Sequence, residues 1–175
     1  VFSFPSGGQT WVFDTTTGMW HQRSSGLSGG IWRSRLNTRA FGVNIVGDRE
    51  STLIGRLDLD IFKEYGNNMQ SRRVTTVIHA NQREFFTDRI ELVMEVGRAK
   101  SGAQDPKASL RWSDDSGHTW GTWINMDLGG IGDFLQKLTL FQLGESKNRV
   151  YDLKIIDDVS RTLIDCIVEG EVGEY

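Results

Sequence analysis

The chain has 175 residues, with 20 Lys and Arg against 23 Asp and Glu, a net charge of -3 and a pI near 5.6. That balance lacks the basic excess that drives nonspecific nucleic-acid binding; its densest basic stretches, Arg33, Arg35 and Arg39 and then Arg72-Arg73, are each followed by acidic residues. Hydrophobic residues at 38% plus 20 glycines are the apolar share of an ordinary folded chain, and the length suffices for a real core. The single Cys166 excludes an internal disulfide framework and a cysteine-based zinc cluster within the chain. No apolar run approaches the ~18 residues of a membrane helix, and Ser3, Pro5 and Gly7 break the only apolar opening a signal peptide could use, so a soluble domain is expected. Glycine is above its usual ~7% and proline, at 2 residues, far below its usual ~5%, which suits hydrogen-bonded ladders joined by tight turns. The first residue is Val1, and strand-like sequence follows at once. The chain reads as a fragment of something longer, by truncation or by processing.

Taken in order, Thr10-Trp11-Val12-Phe13 is β-prone, Asp14-Thr15-Thr16-Thr17-Gly18 is a polar turn and Met19-Trp20-His21 returns, which makes a β-hairpin. Residues 24–37 are Gly/Ser-rich and read as loop. A second hairpin runs out over 41–46, turns at Gly47-Asp48 and returns over 52–57. Residues 58–71 form an irregular bridge with a turn at Gly66-Asn67-Asn68, and the domain boundary is placed here, dividing 1–66 from 67–175. Beyond it, strands are expected over 72–80, 85–96, 108–113, 119–125, 135–141, 150–156 and 163–169. Ile90, Leu92, Met94 and Val96 alternate with Arg89, Glu91 and Glu95, the signature of a strand with one face on a core and one in water. In the last strand Ile164, Cys166 and Val168 share a face, which makes Cys166 a buried small hydrophobe and not a reactive thiol. The fold class is all-β and antiparallel, with a sandwich-like unit in the second part.

The sharpest motif is Ser113-Asp114-Asp115-Ser116-Gly117-His118-Thr119-Trp120, which matches the S-x-D-x-G-x-T-W pattern of the Asp-box in full. Asp115 can accept main-chain N–H bonds within its own turn and Gly117 can supply a positive φ. The site residues are Ser113, Asp115, Gly117, Thr119 and Trp120. Asp-boxes are known from sialidases and other propellers, where the resemblance implies a structural role away from the active site. Trp11, Asp14, Gly18 and Trp20 loosely echo the same layout.

Catalytic alternatives find little support in the residues. His21, His79 and His118 stand alone, with no metal-binding pair, and no G-x-S-x-G elbow occurs. Gly129-Gly130-Ile131-Gly132 lacks the Lys-Ser/Thr of a phosphate loop and is expected to be a turn. Asp114-Asp115 and Asp157-Asp158 resemble glycosidase carboxylate pairs, but neighbours on a strand point to opposite faces. The convergent arginines and tyrosine nucleophile of a sialidase are not assembled. The six tryptophans are expected mainly to fill core; exposed, they would suit sugar stacking or a protein interface.

The ordered motifs carry a family resemblance. Trp11-Val12-Phe13-Asp14 with Thr17-Gly18-x-Trp20-x-x-Arg23-Ser24 resembles the last blade of a β-propeller in tail proteins of short-tailed bacteriophages. Gly55-x-Leu57, Tyr65-Gly66, Arg89-Ile90-Glu91-Leu92 with Gly97, and Leu110-x-Trp112 running into the Asp-box follow. Leu128-Gly129 with Gly132 and Leu143-Gly144-x-x-x-x-Arg149-Val150-Tyr151 complete a series over roughly residues 10–156 that is similar to the packaged-DNA stabilisation protein of such phages. The resemblance implies a virion tail protein with no enzymatic activity and no cofactor. Its copies would form a ring, a homo-oligomer between a portal-side adaptor and distal tail proteins, that closes the channel, retains DNA and conducts it at ejection. DNA would pass without specific binding, and no membrane insertion is implied. The end of a propeller blade would occupy 1–66. The competing expectation is a propeller-type glycan-binding or glycan-cleaving protein, of which the Asp-box is the visible trace.

Overall fold

A computed structural model of the chain describes residues 1–96, 105–129 and 135–173. Gly97 and the Gly130–Gly132 part of the glycine-rich stretch lie outside the described residues. Among these residues there are fifteen β-strands, one 3-10 turn at Pro5–Gly7 and no α-helix. The all-β, antiparallel class read from composition and alternation holds, and no sheet closes on itself. By their internal contacts the residues form two units, Val1–Gln70 and Ser71–Tyr175.

In the first unit, β1 (Phe2–Phe4), β2 (Gln9–Asp14) and β3 (Met19–Arg23) make one three-stranded sheet, and β4 (Ser34–Ala40), β5 (Val43–Asp48) and β6 (Ile54–Leu57) another. A small ribbon pairs β7 (Lys63–Glu64) with β8 (Asn67–Asn68). The first hairpin turns where the sequence places it, with the Gly18 N–H donating to the Asp14 carbonyl at 2.9 Å. The second differs from expectation. Its turn is Phe41-Gly42, both at positive φ, so residues 34–40 are a strand and not loop, and Gly47 lies inside β5 opposite Leu36 and Ile54. Asp48, expected in the turn, closes the longer β5–β6 connection by accepting from the Glu50 N–H at 3.2 Å and from the Ser51 hydroxyl. The turn expected at 66–68 is formed by Tyr65-Gly66, and Asn67 and Asn68 already belong to a returning strand. Val46 is the one buried hydrophobic side chain among residues 1–70.

The second unit is where the core lies. Its strands are β9 (Ser71–Val74), β10 (Phe85–Glu95), β11 (Lys107–Ser113), β12 (Ile124–Asp127), β13 (Leu135–Ser146), β14 (Val150–Ile155) and β15 (Thr162–Val172). They form two antiparallel sheets, β13-β10-β15 and β12-β11-β14-β9. Ile90, Leu92 and Met94 from the first sheet and Leu110, Leu153 and Ile155 from the second belong to one buried cluster between them. This is the period-2 rule in use: inward residues of both sheets share one core.

Three expectations for this unit are corrected. The strand expected over 72–80 ends at Val74, and only isolated bridges at Ile78 and Ala80 continue it. The strand expected over 119–125 begins at Ile124; the Thr119 N–H is taken by the Asp115 carboxylate and the Gly121 N–H by the Trp112 carbonyl, so the turn extends into it. Cys166 is exposed. A bulge in the β10–β15 register puts Met94 opposite Leu163 and Val93 opposite Asp165, so Ile164 leaves the Cys166 face and Leu163 replaces it. Cys166 then looks inward at the edge of its sheet, into a cleft also lined by Leu92, Leu163 and Arg73, where the short β9 does not cover it. On the same strand Gly170 is sterically required, since a Cβ there would sit 2.0 Å from the Phe86 carbonyl oxygen.

Candidate functional site

The residues following β11 build a turn around one carboxylate. Asp115 accepts from the Ser113 hydroxyl (2.6 Å), the Thr119 hydroxyl (2.6 Å), and the backbone N–H groups of His118 (2.9 Å) and Thr119 (2.8 Å). The Ser113 Oγ in turn accepts the Gly117 N–H at 2.9 Å, and Gly117 at φ +95° takes a conformation that L side chains rarely adopt. Every one of these bonds favours the ionised form, so the Ser113 hydroxyl first, then the Thr119 hydroxyl and N–H, hold the Asp115 carboxyl well below the usual carboxylate range. The structure thus brings Ser113, Asp115, Gly117 and Thr119 together. The Asp14 turn does the same on a smaller scale, its carboxylate accepting from the Thr16 N–H (2.8 Å) and the Thr17 hydroxyl (3.0 Å).

Trp120, the fifth site residue, lies beside the same turn, its ring 3.5 Å from where a Cβ on Gly117 would stand. Its ring faces the Arg111 guanidinium at 4.6 Å, Arg111 faces the Trp123 ring at 4.3 Å, and the Lys154 ammonium sits 3.9 Å from the centre of the Trp123 ring. The result is a row of alternating rings and cations on the outer face of the β12-β11-β14-β9 sheet. Core filling is therefore the role of Trp112, which packs against the cluster, and not of Trp120 or Trp123. Trp11 and Trp20 are exposed on the first sheet, where Trp20 packs against Phe2 and Phe13.

Behind the row, Asp152 is 0% exposed and accepts two bonds from Arg72 at 2.8 Å and one from Arg111 at 2.9 Å. The three residues sit side by side on β9, β14 and β11 and bind those strands across the face.

The other charged centre ties the turn to the opposite sheet. Arg149, 1% exposed, donates from Nε to Asp114 (2.6 Å), from Nη1 to the Thr87 hydroxyl (3.0 Å) and the Gly144 carbonyl (3.3 Å), and from Nη2 to the Glu145 carbonyl (3.2 Å). Thr87 is on β10, Gly144 and Glu145 on β13. Asp114, considered above as half of a carboxylate pair, is thus an ion-pair partner, and Asp157 accepts the Lys107 N–H at 2.7 Å. Among the described residues no group of three or more His, Cys, Asp or Glu is placed to hold a metal.

Sequence reasoning passed over Arg149, Arg111 and Asp152 as site residues, because their side-chain hydrogen-bond partners lie 35 to 80 residues away. One signal was present. Gly144 and Arg149 both occur in the Leu143-Gly144…Arg149-Val150-Tyr151 motif, and the structure joins them by a hydrogen bond.

The arrangement braces a sandwich and presents an aromatic, cationic face. Among curated proteins none matches the chain. The family model described as bacteriophage P22 Gp10, beta-sandwich, matches residues 70–171, the stretch that forms the two-sheet unit and more than half of the chain, and the protein belongs to that family.

Proposed function

We propose that the protein is a structural, non-enzymatic component of a short-tailed phage tail, forming part of a ring that closes the portal channel, retains packaged DNA and conducts it at ejection. The observation that carries this reading is the family match over 70–171. The site chemistry agrees with it, since the turn carboxylate is fully engaged in hydrogen bonds that hold backbone. A net charge of -3 suits a conduit that does not grip phosphates. Its neighbours in this reading are copies of itself, a portal-side adaptor and distal tail proteins.

Residues 1–66 are assigned to the end of a propeller blade. What supports this is the β1-β2-β3 sheet, whose face carries Phe2, Phe13 and Trp20, all more than 40% exposed. A three-stranded sheet with an uncovered aromatic face gains stability by packing against another sheet, as blades do.

The test is the native mass of the full-length protein in solution, with low-resolution imaging of the particle. A closed ring of several copies with a central channel supports the tail role. A monomer that binds or hydrolyses a glycan refutes it and transfers the exposed tryptophans to sugar recognition.

A further inference from the structure

The two outer faces of the sandwich differ in charge. Register and alternation put Arg72, Arg111 and Lys154 on the outside of the β12-β11-β14-β9 sheet, with Asp152 the carboxylate among them. The Lys107–Asp127 pair at its margin adds nothing net. This face is cationic, and its cations are interleaved with the half-buried rings of Trp120 and Trp123.

The outside of the β13-β10-β15 sheet is the reverse. Glu91, Glu95, Glu145, Asp165, Glu169 and Glu171 stand there against Arg89 and Lys137. Two of the carboxylates are neutralised locally, Glu169 by Arg89 at 2.6 Å and Glu91 by Lys137 at 3.0 Å, and the face keeps an acidic excess that includes Glu145, Asp165 and Glu171. Glu145 and Glu171 flank Phe86 in one cross-strand row, and Phe141 (67% exposed) and Ile167 (37%) lie on the same face. Carboxylates interleaved with apolar groups are the complement of cations interleaved with rings.

Resting on the ring reading above, we propose that the occupant of each face is the other face of a second copy: the acidic β13-β10-β15 surface of one sandwich docks on the Trp120–Arg111–Trp123–Lys154 row of the next. Because two different surfaces meet, the contact is head-to-tail, the type that generates a ring where the rotation between successive copies closes and an open filament where it does not. A self-complementary contact between like faces would instead oppose charges of one sign. The row is already rigid before docking, since Arg111 is held by Asp152 and by two rings, so little side-chain entropy is lost on binding.

The experiment uses the full chain in sedimentation velocity at low and at high salt, with two charge-reversed forms whose folding is checked by circular dichroism. Lys154→Glu spoils the cationic face alone, and Glu145→Lys/Glu171→Lys spoils the acidic face alone. Wild-type self-association is expected to weaken with salt, and each variant alone to associate about tenfold or more weakly. Mixing the two variants is expected to restore association, because each reversed face finds an opposite charge. Unchanged association of both variants overturns the proposed contact and leaves the ring reading standing on other surfaces. A mixture that stays dissociated also overturns it. A wild-type chain that remains monomeric, with no ring formed by the full-length protein, overturns both.

Discussion

Replacing Arg149 tests whether the turn and the two sheets are held as one unit. Arg149→Met keeps the length and apolar stem of the side chain but removes every donor. The Thr87 hydroxyl, in a residue 2% exposed, is then left without its partner, which costs about 1–3 kcal/mol. The Gly144 and Glu145 carbonyls belong to exposed residues and can rehydrate, and the half-exposed Asp114 contributes the ~1 kcal/mol or less of an ion pair in contact with water. A total of about 1–4 kcal/mol follows, which for a domain of about 100 residues lowers Tm by roughly 5–20 °C. Urea and thermal unfolding of the wild type and Arg149→Met, each with and without Asp114→Asn, measure it. Asp114→Asn alone should cost under about 1 kcal/mol and should add nothing in the Met background, since the shared bond is already gone. Arg149→Met within about 0.5 kcal/mol of wild type would refute the tether, and full additivity of the two changes would show that the Asp114 contact is not made.

Asp115 and Glu169 are ionised more readily in the folded chain than unfolded, the first through Ser113 and Thr119, the second through the Arg89 hydrogen bond. Their contribution is therefore complete above the unfolded carboxyl range near pH ~4 and is lost as pH falls below it; an acid titration of stability should show this slope, and Asp115→Asn should flatten it. Gly170→Ala forces a Cβ onto the Phe86 carbonyl and should destabilise by about 1–3 kcal/mol or more in chemical denaturation. Leu110→Ala, at 0% exposure in the shared core, should cost about 2–5 kcal/mol in the same assay. Cys166 should be labelled by a thiol reagent without denaturant, and more slowly at neutral pH than a free cysteine, because partial burial first and Asp165 second push its thiol up. Labelling that appears only on unfolding would contradict the open edge.

Local chemistry was legible without coordinates. Alternation marked β10 as a one-sided strand, because successive residues on any strand point to opposite faces whatever packs on them. The Ser113–Trp120 spacing announced a turn held by Asp115, because all of that carboxylate's partners lie within four residues. Tertiary structure decided whatever depended on residues far apart. The exposure of Cys166 turned on how far β9 reaches, and the face of Ile164 on a one-residue bulge, neither of which alternation within one strand encodes. The expected strand over 119–125 starts only at Ile124 because the Asp115 carboxylate and the Trp112 carbonyl hold the Thr119 and Gly121 N–H groups in the turn, and the 34–40 strand emerged because its register with β5 supplies pairing that its own composition does not suggest. Arg149, Asp152 and the Trp120–Arg111–Trp123–Lys154 row exist only where four strands have been brought side by side, so pairing across the sheets, and not any local propensity, made the two charged faces of the domain.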